Sequence, residues 1–147
     1  MKLVTAKEAA ALIPNGSTVA LSGSCARAVV ADNVLAAMAE QYLTSGTPKD
    51  LTVFHPQGVG DKDVSGLGRF AHPGLCRRVI GGHWGMSPKM GQLAASEQLE
   101  AYNLPQGVMA QMTRVMAAHG PGVITKIGLD TFVDPRQDGG KMNASAK

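Results

Sequence analysis

The sequence predicts an α/β domain in which an open, mostly parallel sheet is flanked by helices. Short β-rich runs alternate with helical patterns along most of the chain, and this alternation is typical of parallel sheets with right-handed crossovers. Four of the strand-to-helix turns carry glycine or other small residues. The chain has 147 residues, of which 44% are apolar and 17% charged, a composition that suits one globular domain with its own core.

The first helix and strand are marked by a capping box and a turn. Thr5 and Glu8 stand three positions apart, so that each side chain can satisfy a free backbone N–H at a helix start. We expect this helix to continue to about Ile13, where the Pro-Asn-Gly sequence at 14–16 breaks it. The β-rich run at 17–21 then predicts the first strand.

The second helix and strand follow the same pattern. Asp32 is a predicted N-cap, and the apolar stripe that follows it ends at the turn 45–48. Residues 51–55 predict the second strand. The glycine-rich and aspartate-rich stretch 56–68 predicts a long loop, and a short helix is expected around residues 69–72.

The third repeat of the pattern begins with a predicted strand at 77–80. Ser87 followed by Pro88 predicts an N-cap and the first residue of a helix that ends near Ser96. Residues 100–104 predict the fourth strand.

The last predicted helix begins at the Pro-Gln-Gly turn 105–107 and ends before the Gly-Pro-Gly sequence at 120–122. Core packing is expected for three of its methionines, Met109, Met112 and Met116. A fifth strand is predicted at 123–127. From Asp134 onward the sequence is polar and rich in turn residues, with no closing strand or helix, which indicates an incomplete domain.

The composition argues against several classes of function. The net charge of +3 is spread without a basic stripe or interleaved aromatic residues, so nucleic-acid binding is not expected. No run of 18 apolar residues occurs, and no membrane span is expected. The two cysteines, Cys25 and Cys76, cannot form a disulfide framework or a CxxC metal site, and the cytoplasm is the expected compartment.

Metal and thiol chemistry have weak support. The loop beginning at Asp61 starts like a calcium-binding loop, but its twelfth position is His72 where a glutamate is needed. The histidines lack zinc-site spacing, so no metal is expected. Cys25 follows a predicted strand and could act as a nucleophile if a histidine approached it, although a small core residue is the commoner role of a lone cysteine.

The turns after the predicted strands indicate a shared binding site, because the carboxyl ends of parallel strands meet at one edge of the sheet. None of these turns has the pattern of a dinucleotide-binding or Walker phosphate loop. Gln106 lies in the last turn, where its amide N–H could point at a developing oxyanion. An ordinary exposed turn amide is the alternative interpretation.

Several motifs in order resemble the family I coenzyme A transferases, especially their single-chain acetate or propionate members. The strongest are EAYNLPQG at 100–107, HGPGVITKIGLDTFVDPR at 119–136 and GGKMN at 139–143. Supporting pieces are VIGGHWG at 79–85, RFAHPGL at 69–75 and GTPKDLTV at 46–53. Together these motifs cover almost the whole chain.

The resemblance implies a reaction and a division of the fold. Such enzymes move coenzyme A between an acyl-CoA and a free carboxylate through a glutamyl-CoA thioester, with no permanently bound cofactor, in an active site between two α/β halves. Residues 1–147 correspond to an incomplete amino-terminal half. The glutamate belongs to the carboxy-terminal half, and no glutamate here stands in a matching motif. The implied partners are acyl-CoA, a small carboxylate such as acetate, the carboxy-terminal half and further copies in a homo-oligomer.

The same resemblance implies site residues. Gln106 corresponds to the glutamine that donates a hydrogen bond on the oxyanion side. The residues expected to shape the substrate site are Gly23, Ser24, Asn33 and Gly107. One departure concerns residues 25–27, Cys-Ala-Arg, which stand where relatives carry glycines and whose side chains could crowd the acyl group. A non-catalytic remnant that acts as an oligomerisation or binding module through an exposed sheet edge is therefore the alternative.

Overall fold

A computed structural model describes residues 3–23 and 29–147 and contains four strands and four α-helices within those ranges. The strands are β1 (Thr18–Ala20), β2 (Leu51–His55), β3 (Cys76–Gly81) and β4 (Glu100–Asn103). The helices are α1 (Ala6–Ala10), α2 (Asp32–Ser45), α3 (Pro88–Ala95) and α4 (Gln106–Ala117), with a 3-10 helix at Leu67–Phe70. The predicted α/β class is confirmed.

The four strands form one parallel sheet in the order β1-β2-β3-β4. Because each strand lies beside the next one in the sequence, right-handed crossovers place the connecting segments on one face. α1 packs on α2, and both α2 and α3 pack on the 3-10 helix. The core lies between this layer and the sheet, where Val53, Val79 and Ala101 are fully buried.

The capping box of α1 is confirmed, since Thr5 accepts from the Glu8 backbone N–H while the Glu8 carboxylate accepts from the Thr5 backbone N–H. The predicted length is wrong, because α1 ends at Ala10 and a turn follows. Strand β2 has the predicted bounds. The short helix expected at 69–72 is the 3-10 helix, which begins two residues earlier.

The predicted caps of α2 and α3 need correction. Asp32 is the first residue of α2 and Ala31 is its N-cap. The Asp32 carboxylate instead accepts from the backbone N–H of Gly66 at 2.7 Å and pairs with Arg69 at 2.9 Å, so it joins α2 to the long loop. Ser87 is the N-cap of α3, but its side chain makes no capping bond.

The predicted fifth strand at 123–127 is wrong. These residues form no helix or strand, and Ile124 is fully exposed. A strand needs a neighbour, and the edge of β4 is already occupied by a later segment: Met142 N–H donates to the Ala101 carbonyl, and Asn103 N–H donates to the Gly140 carbonyl. High β propensity without a partner strand leaves the segment irregular.

The chain after Asp134 has no helix or strand, as predicted, yet it packs closely on the sheet. The Asn143 amide donates to the carbonyls of Ala94 and Leu99 at 2.9 and 2.8 Å and accepts from the Ala101 backbone N–H at 3.2 Å. This side chain therefore fastens the terminal segment to α3 and β4. The methionines of α4 are less buried than predicted, since Met109 is buried but Met116 is half exposed.

Candidate functional site

The turns after β2, β3 and β4 meet at the carboxyl edge of the sheet around Gly82. A Cβ atom on Gly82 would lie 1.9 Å from the Pro56 carbonyl oxygen and 3.3 Å from the Gln106 Cα atom. The Gly82 backbone N–H donates to the His55 carbonyl at 2.9 Å. Only glycine permits this approach, so the backbone of three turns converges where the sequence predicted a shared site.

Gln106 is the first residue of α4 and is exposed. The first N–H groups of a helix have no acceptor within the helix and favour negative charge nearby. Gly107 comes next, and a Cβ placed on it would meet no atom within 4 Å. The start of α4 therefore presents a side-chain amide and backbone N–H groups to an open side of the molecule.

A crevice of about 300 Å³ lies between α4 and the ends of β1 and β2. It is lined by residues 20–22, Pro56, Gln57, Ala110 and Thr113. Ala110 and Thr113 follow Gln106 by four and seven positions, a spacing that places all three on one helix face. α4 thus runs from the end of β4 across the carboxyl edge towards β1.

The other predicted site residues do not share one environment. Gly23 is buried after β1, where a Cβ would lie 2.8 Å from a Val30 methyl group. Asn33 is exposed in the first turn of α2, and within the described ranges no hydrogen bond joins it to Gln106. Ser24 and the departure at 25–27 lie outside the described residues.

His55, at the carboxyl end of β2, is a residue that the site analysis of the sequence missed. It is fully buried, and its Nδ1 lies 3.0 Å from the Gln57 carbonyl oxygen. Its ring contacts Trp84 edge-on, with centroids 6.0 Å apart. Burial lowers the pKa of His55 below its ordinary value. A histidine as the last residue of an otherwise buried strand was the available signal.

The four glutamates of the chain all hold structural positions. Glu8 belongs to the capping box, and Glu40 accepts from Lys7 at 3.2 Å. The Glu97 carboxylate accepts from the backbone N–H groups of residues 144 and 145. Glu100 pairs with Arg78 at 2.6 Å on a partly buried surface. None of these carboxylates lies at the Gln106 turn.

Metal ligands do not gather within the described residues, where no group of three candidate side chains could hold an ion. The loop that resembles the start of a calcium site folds as a turn, because the Asp61 carboxylate accepts from the backbone N–H groups of Asp63 and Ser65 at 3.0 and 3.1 Å. Hydrogen bonding from Ser65, and then from the Asp63 backbone N–H, lowers the pKa of Asp61 to about 2. None of the helices within the described ranges has the length and apolar content needed to cross a bilayer.

Comparisons with known proteins all indicate the same family. A family model described as Coenzyme A transferase matches residues 3–145. The acetate CoA-transferase YdiF of Escherichia coli is 41% identical over 145 residues, which are 99% of this chain and 27% of that protein. A caffeate CoA-transferase of Acetobacterium woodii is 42% identical over 142 residues, which are 97% of this chain and 27% of that protein.

Solved structures of YdiF have the same fold as this chain. The crystal structure of the Escherichia coli acyl-CoA transferase YdiF as apoenzyme matches with a TM-score of 0.95 at 41% identity, covering 99% of this chain and 28% of that one. A structure of the same protein described as a thioester complex with CoA gives a TM-score of 0.94. The chain spans 27% of the length of the first curated relatives it matches. It belongs to the coenzyme A transferase family.

Proposed function

We propose that this chain provides the oxyanion-binding side of a coenzyme A transferase site. The reaction moves coenzyme A between a short-chain acyl-CoA and a carboxylate such as acetate, through a glutamyl-CoA thioester. The observation that carries the proposal is the position of Gln106 at an exposed helix start, held against Gly82 where three strand ends converge. Family membership supplies the reaction class.

Gln106 has a specific part in this proposal. Each exchange at a thioester or carboxyl carbon passes through a tetrahedral intermediate with a negative oxygen, and positioned donors stabilise that oxygen more than the substrate carbonyl. The side-chain N–H of Gln106 and the free backbone N–H groups at the start of α4 are donors of this kind. Gly107 leaves room for a substrate to approach them.

The glutamate nucleophile is proposed to come from outside residues 1–147. Support comes from the four glutamates of the chain, each of which is engaged in a cap, an ion pair or a turn away from Gln106. The alternative is a binding module that uses an exposed sheet edge. Among the described strands it is confined to the outer edge of β1, because residues 140 and 142 already bond to the edge of β4.

Complementation tests the proposal. The chain is combined with the portion of Escherichia coli YdiF that follows the matched region, and transfer from acetyl-CoA to propionate is measured. The relative's own amino-terminal segment serves as the positive control. We expect transfer with both chains present and none with either alone. Transfer by residues 1–147 alone would contradict the external glutamate, and failure beside a working positive control would contradict the proposed activity.

Substitution of Gln106 tests its role in the same assay. Gln106→Ala should lower kcat about 100-fold, since loss of one oxyanion donor costs about 3 kcal/mol of transition-state stabilisation. Gln111→Ala, at an exposed position of the same helix, is the matched control and should keep the kcat of the unmodified chain. Equal rates for the two variants would remove Gln106 from the mechanism.

A further inference from the structure

His55 has a single defined protonation form in this fold. Its Nδ1 lies 3.0 Å from the Gln57 carbonyl oxygen. A carbonyl oxygen can only accept a hydrogen bond, so Nδ1 carries the proton and donates it. The bond spans two positions of the chain and fixes the turn that begins at Pro56.

The other ring nitrogen faces groups that cannot accept a proton. Within the described residues Nε2 is buried and has no hydrogen-bond partner. A Cβ atom on Gly81 would lie 2.4 Å from Nε2 and 2.9 Å from the Trp84 Nε1 atom, so the ring edge is enclosed by the Gly81 α-carbon and the indole. The indole N–H itself donates to the Tyr102 carbonyl at 3.2 Å. His55 is therefore a neutral imidazole held in one tautomer.

A buried imidazole is an unusual choice for this position. His55 continues the face of β2 that carries Val53, and it lies in register with Gly81 of β3. An apolar side chain would fill such a place without burying an unpaired nitrogen, which costs free energy. Since packing alone does not require the ring, the bond from Nδ1 to Gln57 is the feature that an apolar residue could not supply.

The turn that this bond fixes also supports the start of α4. The Pro56 carbonyl oxygen faces Gly82, whose other close neighbour is the Gln106 Cα atom. Gly82 N–H returns to the His55 carbonyl, which closes a loop of contacts between β2 and β3. A displacement of the Pro56 turn would therefore move Gly82 and, with it, Gln106.

We propose that His55 is a positioning residue, which places Gln106 by holding the 56–58 turn against Gly82. Its Nδ1–H is the group that acts, and its ring packs on Trp84 to keep that N–H directed at Gln57. The residue does not touch substrate. The effect on turnover rests on the proposed function, whereas the effect on geometry does not.

Two substitutions separate positioning from simple packing. In His55→Asn the side-chain Nδ2 stands two bonds from Cβ, as Nδ1 does in histidine, so the donor to Gln57 is retained. His55→Leu fills the space but has no donor. His119→Asn is the control, because His119 is exposed and its backbone φ of 53° suits asparagine.

The geometry is measured on the isotopically labelled 147-residue chain by NMR. Long-range proton–nitrogen spectra should show His55 as the neutral Nδ1–H tautomer. We expect His55→Leu to shift the backbone amide signals of Gln57, Gly82 and Gln106, His55→Asn to return them towards their original positions, and His119→Asn to leave them unchanged. An Nε2–H tautomer, or unchanged Gln106 signals in a folded His55→Leu chain, would overturn the proposal.

The kinetic test uses the complemented transferase. His55→Leu should lower kcat about 100-fold with little change in KM, the scale expected when a catalytic group is displaced by about 1 Å, and His55→Asn should recover most of it. A loss of the same size in both variants would overturn positioning through the donor. If the unmodified chain shows no transfer, the proposed function fails, and the NMR comparison still decides the role of His55.

Discussion

Gly82 lies so close to the Pro56 carbonyl that a Cβ atom would come within 1.9 Å of the oxygen. Because the obstructing atom belongs to the backbone, no rotamer change can relieve the clash. We expect Gly82→Ala to lower the free energy of unfolding by about 3 kcal/mol, at the upper end of the usual cost of overpacking. This free energy is measured by urea unfolding, with far-UV circular dichroism as the signal.

Gly91→Ala is the matched control for that substitution. Gly91 lies inside α3, and a Cβ there would meet nothing within 4 Å. Alanine in a helix interior should raise the free energy of unfolding by about 0.5–1 kcal/mol relative to glycine. If the two variants shift the urea midpoint equally, the convergence of turns at Gly82 is not the tight contact described above.

The packing of the segment after Asp134 should depend on the side-chain amide of Asn143. Asn143→Ala removes three hydrogen bonds. The Leu99 carbonyl and the Ala101 N–H lose this partner, whereas the Ala94 carbonyl keeps the Glu97 backbone N–H as a donor. We expect a loss of about 3 kcal/mol in the free energy of unfolding, since each unsatisfied buried group costs about 1–3 kcal/mol before relaxation and rehydration. Hydrogen exchange at the Ala101 amide should accelerate first. Asn33→Ala, at an exposed position, should change stability little, and equal losses in both variants would contradict the fastening role.

The burial of His55 predicts how stability varies with pH. Burial holds the pKa of His55 below the 6.5 of the unfolded chain, so the unfolded state binds the proton more readily. The stability that comes from keeping His55 neutral is fully present above pH 6.5. It is lost as the pH falls from 6.5 towards the pKa of His55 in the folded chain. His55→Asn lacks this contribution. The difference in free energy of unfolding between the unmodified chain and His55→Asn should therefore shrink below pH 6.5. A constant difference down to pH 5 would contradict this prediction.

Cys76 should resist alkylation while the chain is folded. Burial raises the pKa of its thiol to about 12, so almost no thiolate exists at neutral pH. Iodoacetamide labelling, read by peptide mass spectrometry, should proceed at Cys76 only at the rate of chain opening. Cys25 in the same sample tests whether this residue is an activated nucleophile, which predicts rapid labelling at neutral pH. Fast labelling of Cys76 in the folded chain would contradict its burial.

The elements set by local chemistry could be read from the sequence. The run 51–55 contains Thr, Val and Phe, which favour strands, and lies between Asp50 and Pro56; β2 has those bounds. The capping box of α1 depends on two residues three positions apart, and it was also predicted. The failure at 123–127 has a different cause, because β propensity does not tell whether a sheet edge is free to pair.

The candidate site also has one feature that local sequence predicts and others that depend on the tertiary fold. The position of Gln106 at the start of a helix follows from the Pro-Gln-Gly turn beside an apolar stripe. Its contact with Gly82, and that of Gly82 with Pro56, depend on how three strand ends approach one another. Asn143 likewise bonds to residues more than 40 positions earlier in the chain. No local pattern predicts such pairs.

The strand order β1-β2-β3-β4 bears on how the chain is assembled during synthesis. Neighbours in the sheet are also neighbours in the sequence, so a nascent chain can add each strand to the one completed just before it. Among the four described strands, none has to wait for a partner that lies far along the chain. Docking of Asn143 follows the completion of β4, because its bonds to Ala94, Leu99 and Ala101 can form only after that later part of the chain has emerged.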